Sequence, residues 1–376
     1  MDFELTDEQR GLVDSTRALL TRRSSAVRAR GLIDTADSFD AELWKDGVDL
    51  GWPALGIAES DGGLGQQTID LALVCAELGY GLAATPFIPV AVAADALTTS
   101  TAENKSKLLQ LISEGSLIAG WAISEFGQTW GPAGIGTVAQ PYDGGYRLTG
   151  AKANVQHADA AHLLVVDALL DDAPARFVVP TDTPGMRVSR QQTLDVARSY
   201  CDVTFDDVAV DEAALCATGE QAQRAITRSM HLNTVLVCAE LVGIGQRLLE
   251  MTVAYVKERN QFGRPVGSFQ AVKHKCADMR IWVQACTAAT YHAAMALDAG
   301  GRDADADHAV SVAKAYVSDA VGRVTGEALQ LHGGIGFTWE HDLHLYLRRA
   351  RTGALLCGDA AFHRERLCHL LESAQT

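Results

Sequence analysis

The chain changes its hydrophobic period twice. Over residues 1–117, apolar stretches with helical spacing (Leu12 to Leu20, Ile69 to Leu78, Val90 to Leu97) alternate with glycine-rich turns such as SDGGLGQ at Ser60 to Gln66. This pattern predicts an N-terminal helical domain. Over 118–215 the apolar runs shorten to GWAIS, YRLTGAKANV, HLLVV, RFVVP and CDVTFDDVAV, separated by Gly, Pro and Asp turns, which predicts strands and a middle β domain. From 216 to 376 the helical period returns. Phe269, Val272, Cys276, Met279, Val283 and Cys286 trace one apolar stripe that Gly300-Gly301 should terminate, and Val310, Ala313, Val317, Val321 and Val324 trace the next. With further helices expected over Ile226 to Lys257 and Leu343 to Leu356, short connections argue for an antiparallel four-helix bundle. The expected fold class is mostly α with a middle β domain.

Composition narrows the function classes. Of 376 residues, 48% are hydrophobic, enough for a sizeable core, and 32 Lys plus Arg against 47 Asp plus Glu give a net charge of -15. Such a field repels nucleic acid and anionic membranes, so neither is an expected partner, and an anionic ligand must be held by local groups. The opening MDFELTDEQR is acidic where a targeting peptide would be basic, and it has the form of a capped amphipathic helix. The tract ATPFIPVAVAADAL is short and broken by Pro86 and Pro89. A soluble, cytoplasmic protein is expected. Eight scattered cysteines (75, 201, 216, 238, 276, 286, 357, 368) form no CxxC pair and are expected as free, mostly buried thiols. His341 and His344 lie three apart, but without two further ligands nearby they predict no metal site.

Candidate chemistry concentrates in YVKERNQFGRPVGSFQAVKHKCADM, Tyr255 to Met279. Arg259 can neutralise a pyrophosphate, Phe262 can stack an adenine, and Gln270 can hydrogen-bond near a helix N-terminus that itself favours an anion. A plain helix connection with an exposed Arg would read the same way. In EALQLHGGIGFTWEHDLHLYLRRAR, Gln330 nears a helix end and Gly333, Gly334 and Gly336 lie beyond it, where glycines allow close backbone approach or simply stop the helix.

Together these stretches resemble the acyl-CoA dehydrogenase family, which carries an RxQFG turn, FQxVxHxxAD, a QxxGGxG loop and a YxRxA helix. Arg259, Gln261, Phe262, Gly263, Phe269, Gln270, Val272, His274, Ala277, Asp278, Gln330, Gly333, Gly334 and Gly336 match at the family spacing. DFELTDEQ, LGWPALGIAESDGGLG at Leu50 to Gly65 and AISE at Ala122 to Glu125 extend the resemblance along the chain. It implies a helical domain, a β-barrel-like domain and a four-helix bundle, assembled as a tetramer with FAD. It also implies α,β-dehydrogenation of an acyl-CoA, with a carboxylate as base and an acceptor such as an electron-transfer flavoprotein. The cofactor contacts carried over are Arg259, Phe262, Phe269, Gln270, Gln330, Gly333 and Gly334.

The sequence also departs from that family. Cys357 stands where the base glutamate is placed, and the alternative position on the first bundle helix is Asn233, followed by Thr234. An ordinary thiol with pKa about 8.5 is scarcely ionised at pH 7, and apolar Leu355 and Leu356 should suppress it further; Asp359 points away on a helix. The family's TEPGAGSD loop reads SEFGQTWG at Ser124 to Gly131, its WIT stretch reads NVQ at Asn154 to Gln156, and its flavin-touching threonine is Asp359. By resemblance these losses lie around the chain's own flavin ring, whereas the retained residues reach a neighbouring subunit's FAD. The pattern is similar to heterotetrameric acyl-CoA dehydrogenases acting on steroid side-chain or other bulky CoA thioesters, in which a second subunit carries the glutamate. A self-sufficient homotetramer or related flavin monooxygenase using Cys357 or Asp359, and a flavin-free structural subunit, are the alternatives. His332, Phe337 and Trp339 are candidates for the surroundings of the acyl group.

Overall fold

The computed structural model describes residues 4–23, 25–35, 37–102, 104–299 and 303–373. Contacts divide the chain into two compact units, one of Met1–Ile33, Thr68–Ala84 and Thr234–Thr376, the other of Asp34–Gln67 and Thr85–Asn233.

The second unit is built on a sheet of eight strands: β1 (Ala119–Ala122), β2 (Val138–Tyr142), β3 (Gly145–Gln156), β4 (Leu163–Leu170), β5 (Ala173–Pro180), β6 (Met186–Arg190), β7 (Tyr200–Asp211) and β8 (Leu215–Thr218). Strands β2, β6 and β8 go beyond those that the sequence pattern predicts. The order is β6-β7-β3-β2-β4-β5-β8 with β1 parallel to β4, and its ends do not pair, so the expected barrel is an open sheet. Along β7 buried and exposed residues largely alternate, which places Cys201, Val203 and Phe205 in one core with Leu148, Val166 and Phe177. Two charges are buried in the same unit. Asp167 and Arg176 face each other across β4 and β5, with Nε to Oδ1 at 2.7 Å, and Trp121 Nε1 donates to Asp167 Oδ2 at 2.7 Å. Arg176 also donates to Ser229 Oγ at 3.1 Å, so every partner of this buried pair is fixed. Helices α3 (Ala41–Asp49), α5 (Phe87–Thr98) and α6 (Lys105–Ser113) belong to this unit.

The helical unit contains α1 (Asp7–Arg23), α2 (Ser25–Gly31), α4 (Thr68–Tyr80), α8 (Gln270–Asp298), α9 (Asp303–His332), α10 (Leu343–Leu355) and α11 (Ala360–Ser373), with most of α7 (Gly219–Glu258). The acidic opening works as a reciprocal cap: Gln9 N–H donates to Thr6 Oγ1 at 3.2 Å, and Thr6 N–H donates to Gln9 Oε1 at 3.1 Å. The stripe on α9 is buried from Val310 to Val324. The stripe on α8 is buried only from Met279 onward, while Phe269, Val272 and Cys276 stay half-buried. Gly300 and Gly301 lie outside the described residues; α8 ends at Asp298. By length and composition α7 resembles a membrane span, yet 89% of its apolar window is buried within the protein. Six of the eight free cysteines are buried.

Helices α4 and α7 meet through glycines. A Cβ on Gly79 would lie 2.1 Å from the Glu240 carbonyl oxygen, and one on Gly243 would lie 1.8 Å from that of Ala76. Backbone meets backbone there, so no side chain can move aside. Gly243→Ala is expected to lower unfolding free energy by about 3 kcal/mol in denaturant titration, the cost of overpacking a tight crossing. Gly326→Ala, on α9 with no atom within 4 Å of the added Cβ, should leave stability unchanged or slightly raised.

Candidate cofactor turn and base position

The turn that follows α7 is a small hairpin. Val266 N–H donates to Arg259 O at 2.8 Å, and β9 (Asn260–Gln261) pairs antiparallel with β10 (Arg264–Pro265). Its tip places Phe262 (φ 55°) and Gly263 (φ 76°) both in the left-handed region, which a two-residue hairpin requires. Glycine adopts this freely, whereas phenylalanine gives up about 1 kcal/mol. Phe262 is nonetheless 91% exposed, so no burial in this chain compensates for its strain. Behind it, the Arg264 guanidinium sits 4.1 Å over the Phe269 ring, and Phe269 meets Phe262 edge-on at 6.2 Å. These contacts brace the tip against the start of α8.

The second candidate stretch lies beside this turn. The Tyr255 ring, four residues before Arg259, stacks on His332 at 4.6 Å. His332 ends α9, and Gly333 (φ 62°) and Gly334 follow; a Cβ added to either glycine would meet no atom within 4 Å. The stack thus ties the hairpin to the glycine loop. Of the seven sequence-predicted contacts, Arg259, Phe262, Gln270, Gln330, Gly333 and Gly334 are exposed and Phe269 is half-buried. The set offers an exposed guanidinium, an aromatic face and glycine backbone bordering open space, which fits the ADP part of FAD.

The base position has the opposite character. After α10 the chain turns through Leu356 in extended backbone, Cys357 (φ 62°) and Gly358 (φ 83°), and Asp359 then caps α11 by accepting from Phe362 N–H at 2.8 Å. Lys314, fully buried on α9, donates from Nζ to Ser318 Oγ at 3.0 Å, Ala354 O at 2.9 Å and Gly358 O at 2.9 Å. His363 Nε2 donates to Cys357 O at 2.8 Å; burial pushes this imidazole down to about 4, so it is neutral at pH 7. Burial pushes the Cys357 thiol up to about 11, outweighing Lys314 and a hydrogen bond with Thr234. A neutral thiol cannot take a proton, and the Asp359 carboxylate is engaged as a helix cap. The Cys357 thiol therefore lacks the means to serve as base, and Asp359 is held at the exposed start of α11 by its capping bond.

The source of that burial differs from the sequence expectation. Leu355 points outward at 70% exposure, and the groups around the thiol are instead Thr234 and Cys238 on α7 and Lys314 on α9. Asn233 is buried on α7. In the sheet unit, Asn154 is left-handed (φ 57°) and exposed, and Gln156 accepts from Arg198 at 3.5 Å. Glu125 accepts from Lys152 Nζ at 2.6 Å and from Thr137 N–H and Oγ1 at 2.8 Å, while Phe126 beside it is 94% exposed. His341 Nδ1 accepts from Leu343 N–H at 3.1 Å, and His344 stacks on Trp339 at 4.6 Å. Lys314 and Tyr255 lie outside the sequence-predicted set. A lysine inside the apolar run AVSVAKAYV was the available signal for the first, since an unpaired ammonium has no place on a buried stripe.

Comparison with known proteins agrees with the fold. The N-terminal domain of acyl-CoA dehydrogenase matches residues 6–116, and the C-terminal domain matches residues 223–369. Acyl-CoA dehydrogenase IpdE2 of Mycolicibacterium smegmatis is 30% identical over 355 residues, covering 94% of this chain and 96% of its own. Among solved structures, the ChsE4-ChsE5 complex from Mycobacterium tuberculosis superposes with a TM-score of 0.91 at 28% identity, covering 99% of each chain. A variant of the Tcur3481-Tcur3483 steroid ACAD gives a TM-score of 0.89 at 29% identity, covering 98% of this chain and 99% of the other. With both terminal domains and nearly the whole length thus matched, the chain belongs to the acyl-CoA dehydrogenase family, oxidoreductases acting on CH–CH bonds.

Proposed function

We propose that this chain is the subunit without a catalytic glutamate in a hetero-oligomeric, FAD-dependent acyl-CoA dehydrogenase, and that it lends its hairpin and glycine loop to the FAD of a partner that carries the base. One contrast carries this proposal: the family's base position holds a buried, un-ionised thiol, while the cofactor-contact residues point out of the chain. In the complex, Arg259 neutralises pyrophosphate, Phe262 stacks on the adenine, and Gln270, Gln330, Gly333 and Gly334 supply hydrogen bonds and close backbone approach. FAD, when bound, supplies the hydride acceptor for the CH–CH oxidation. Relatives named as a ChsE4-ChsE5 complex and as a steroid ACAD support a paired subunit and a bulky acyl-CoA such as a steroid side-chain thioester. The site of action is the cytoplasm, and electrons leave through an acceptor such as an electron-transfer flavoprotein.

Arg259→Ala removes a charge-assisted contact and should weaken FAD by about 1.5 to 3 kcal/mol, roughly 10- to 150-fold, read as flavin lost from the complex during gel filtration. Retention of flavin at wild-type affinity would refute the contact.

Cys357→Ala should keep acyl-CoA turnover within about twofold, because no proton passes through a thiol held neutral. The same complex should contain about one FAD for every two chains, and this chain purified alone should hold little flavin. Turnover lost in the Cys357 variant, or one FAD per chain, would restore a self-sufficient enzyme.

A further inference from the structure

Two imidazoles beside the glycine loop are left unused by the proposed function. His332 is buried at 3% exposure, and its Nδ1 lies 2.7 Å from Ala328 O. A carbonyl oxygen only accepts, so Nδ1 carries the proton and Nε2 of the neutral ring keeps a bare lone pair. That Nε2 is buried and has no hydrogen-bond partner among the described residues. His341 stands against it, the ring centroids 4.9 Å apart at 62°. His341 Nδ1 accepts from Leu343 N–H, the first residue of α10, so the neutral ring carries its proton on Nε2. One ring therefore offers a lone pair and its neighbour offers an N–H.

We propose that His332 and His341 act as a pair of neutral imidazoles that positions the Gly333–Phe337 loop, so that cofactor binding at this surface is full when each ring carries one proton and is lost when either ring takes up another. The proposal rests on the loop's role as a cofactor contact. A proton on His332 Nε2 would place an N–H and a charge in a space walled by Tyr255 and His341, with no acceptor. A proton on His341 Nδ1 would turn the acceptor of Leu343 N–H into a donor, and the ring must swing away. Either event separates the rings, and the loop follows because Gly333 is bonded to His332.

The surrounding charges give an added proton little relief. Tyr255 on α7 and the Ala328 carbonyl on α9 are neutral. Across the following loop, the Arg30 and Arg348 guanidiniums flank Trp339 at 5.6 and 5.7 Å, with His344 stacked on the same ring. Asp342 is already paired with Arg30 at 2.7 Å, and Glu340 is exposed. Burial first, and then His341, hold His332 below the usual histidine range, with the Ala328 hydrogen bond opposing. A histidine held neutral in the folded protein contributes fully above the unfolded value near 6.5, and that contribution is lost as pH falls below it toward the depressed folded value.

The test uses the complex with full-length chains and reads deuterium exchange at the imidazole Cε1 of individual histidines by mass spectrometry, beside FAD affinity measured from about pH 8 to about pH 5. His332 should titrate below the ordinary histidine range, and His341→Asn, which keeps an acceptor for Leu343 N–H but does not titrate, should move His332 upward. FAD affinity should fall by about two- to fivefold between pH 7.5 and 5.5 in the wild type and by at least as much in His341→Asn, where His332 takes up its proton at higher pH. If His332 titrates in the ordinary histidine range and ignores the His341 substitution, or if wild-type FAD affinity is flat with pH, the pair does not position the loop. Failure of the cofactor contact itself shows separately, as unchanged FAD affinity in Arg259→Ala.

Discussion

Lys314 holds the end of the helical unit together. Its ammonium has three donors, and all three are used: one on Ser318 Oγ within α9, one on Ala354 O at the end of α10, and one on Gly358 O in the turn to α11. An ammonium without solvent contact is tolerated only when saturated in this way, because each missing bond would leave a desolvated donor on a full charge. Saturation fixes the carbonyls in turn. The left-handed backbone at Cys357 and Gly358 is held from one side by Lys314 and from the other by His363. The turn that carries the candidate base position is thus held by hydrogen bonds on both sides, and its thiol is buried.

The cofactor turn follows the reverse logic. Its residues are held by ring contacts behind the tip, Arg264 over Phe269 and Tyr255 on His332, while the groups that can meet a ligand are left facing outward. An almost fully exposed phenylalanine in left-handed backbone is costly twice over, in strain and in hydration. Contact with a ligand or with another chain offsets both. Preorganisation by the stack behind the tip keeps the entropic cost of that contact small.

Much of the fold was legible because its signals are local. The period of 3.6 on α9, the alternation along β7, the Thr6 and Gln9 cap and the glycines of the hairpin each depend on residues within a few positions of one another. Where the period misled, tertiary contact was the reason. The first turns of α8 carry the apolar stripe but are half-exposed, and Leu355, next to Cys357 but one in the chain and apolar, points to solvent instead of shielding the thiol. Strands β2, β6 and β8 are short, and their neighbours supply more of their stability than their own composition does.

The sequence by itself determined the succession of helical, β and helical regions, the family motifs and the identity of the residue at the candidate base position. It determined which side chains are present there and nothing about their ionisation. That a cysteine stands at 357 is written in the chain; that its thiol stays protonated follows from its complete burial, which outweighs the opposing pull of Lys314 and of the Thr234 hydrogen bond. The tautomers of His332 and His341 were likewise decided by tertiary structure, through a carbonyl on α9 and an N–H on α10. Charge state depends on desolvation and on partners distant along the chain, and neither exists until the helices have packed.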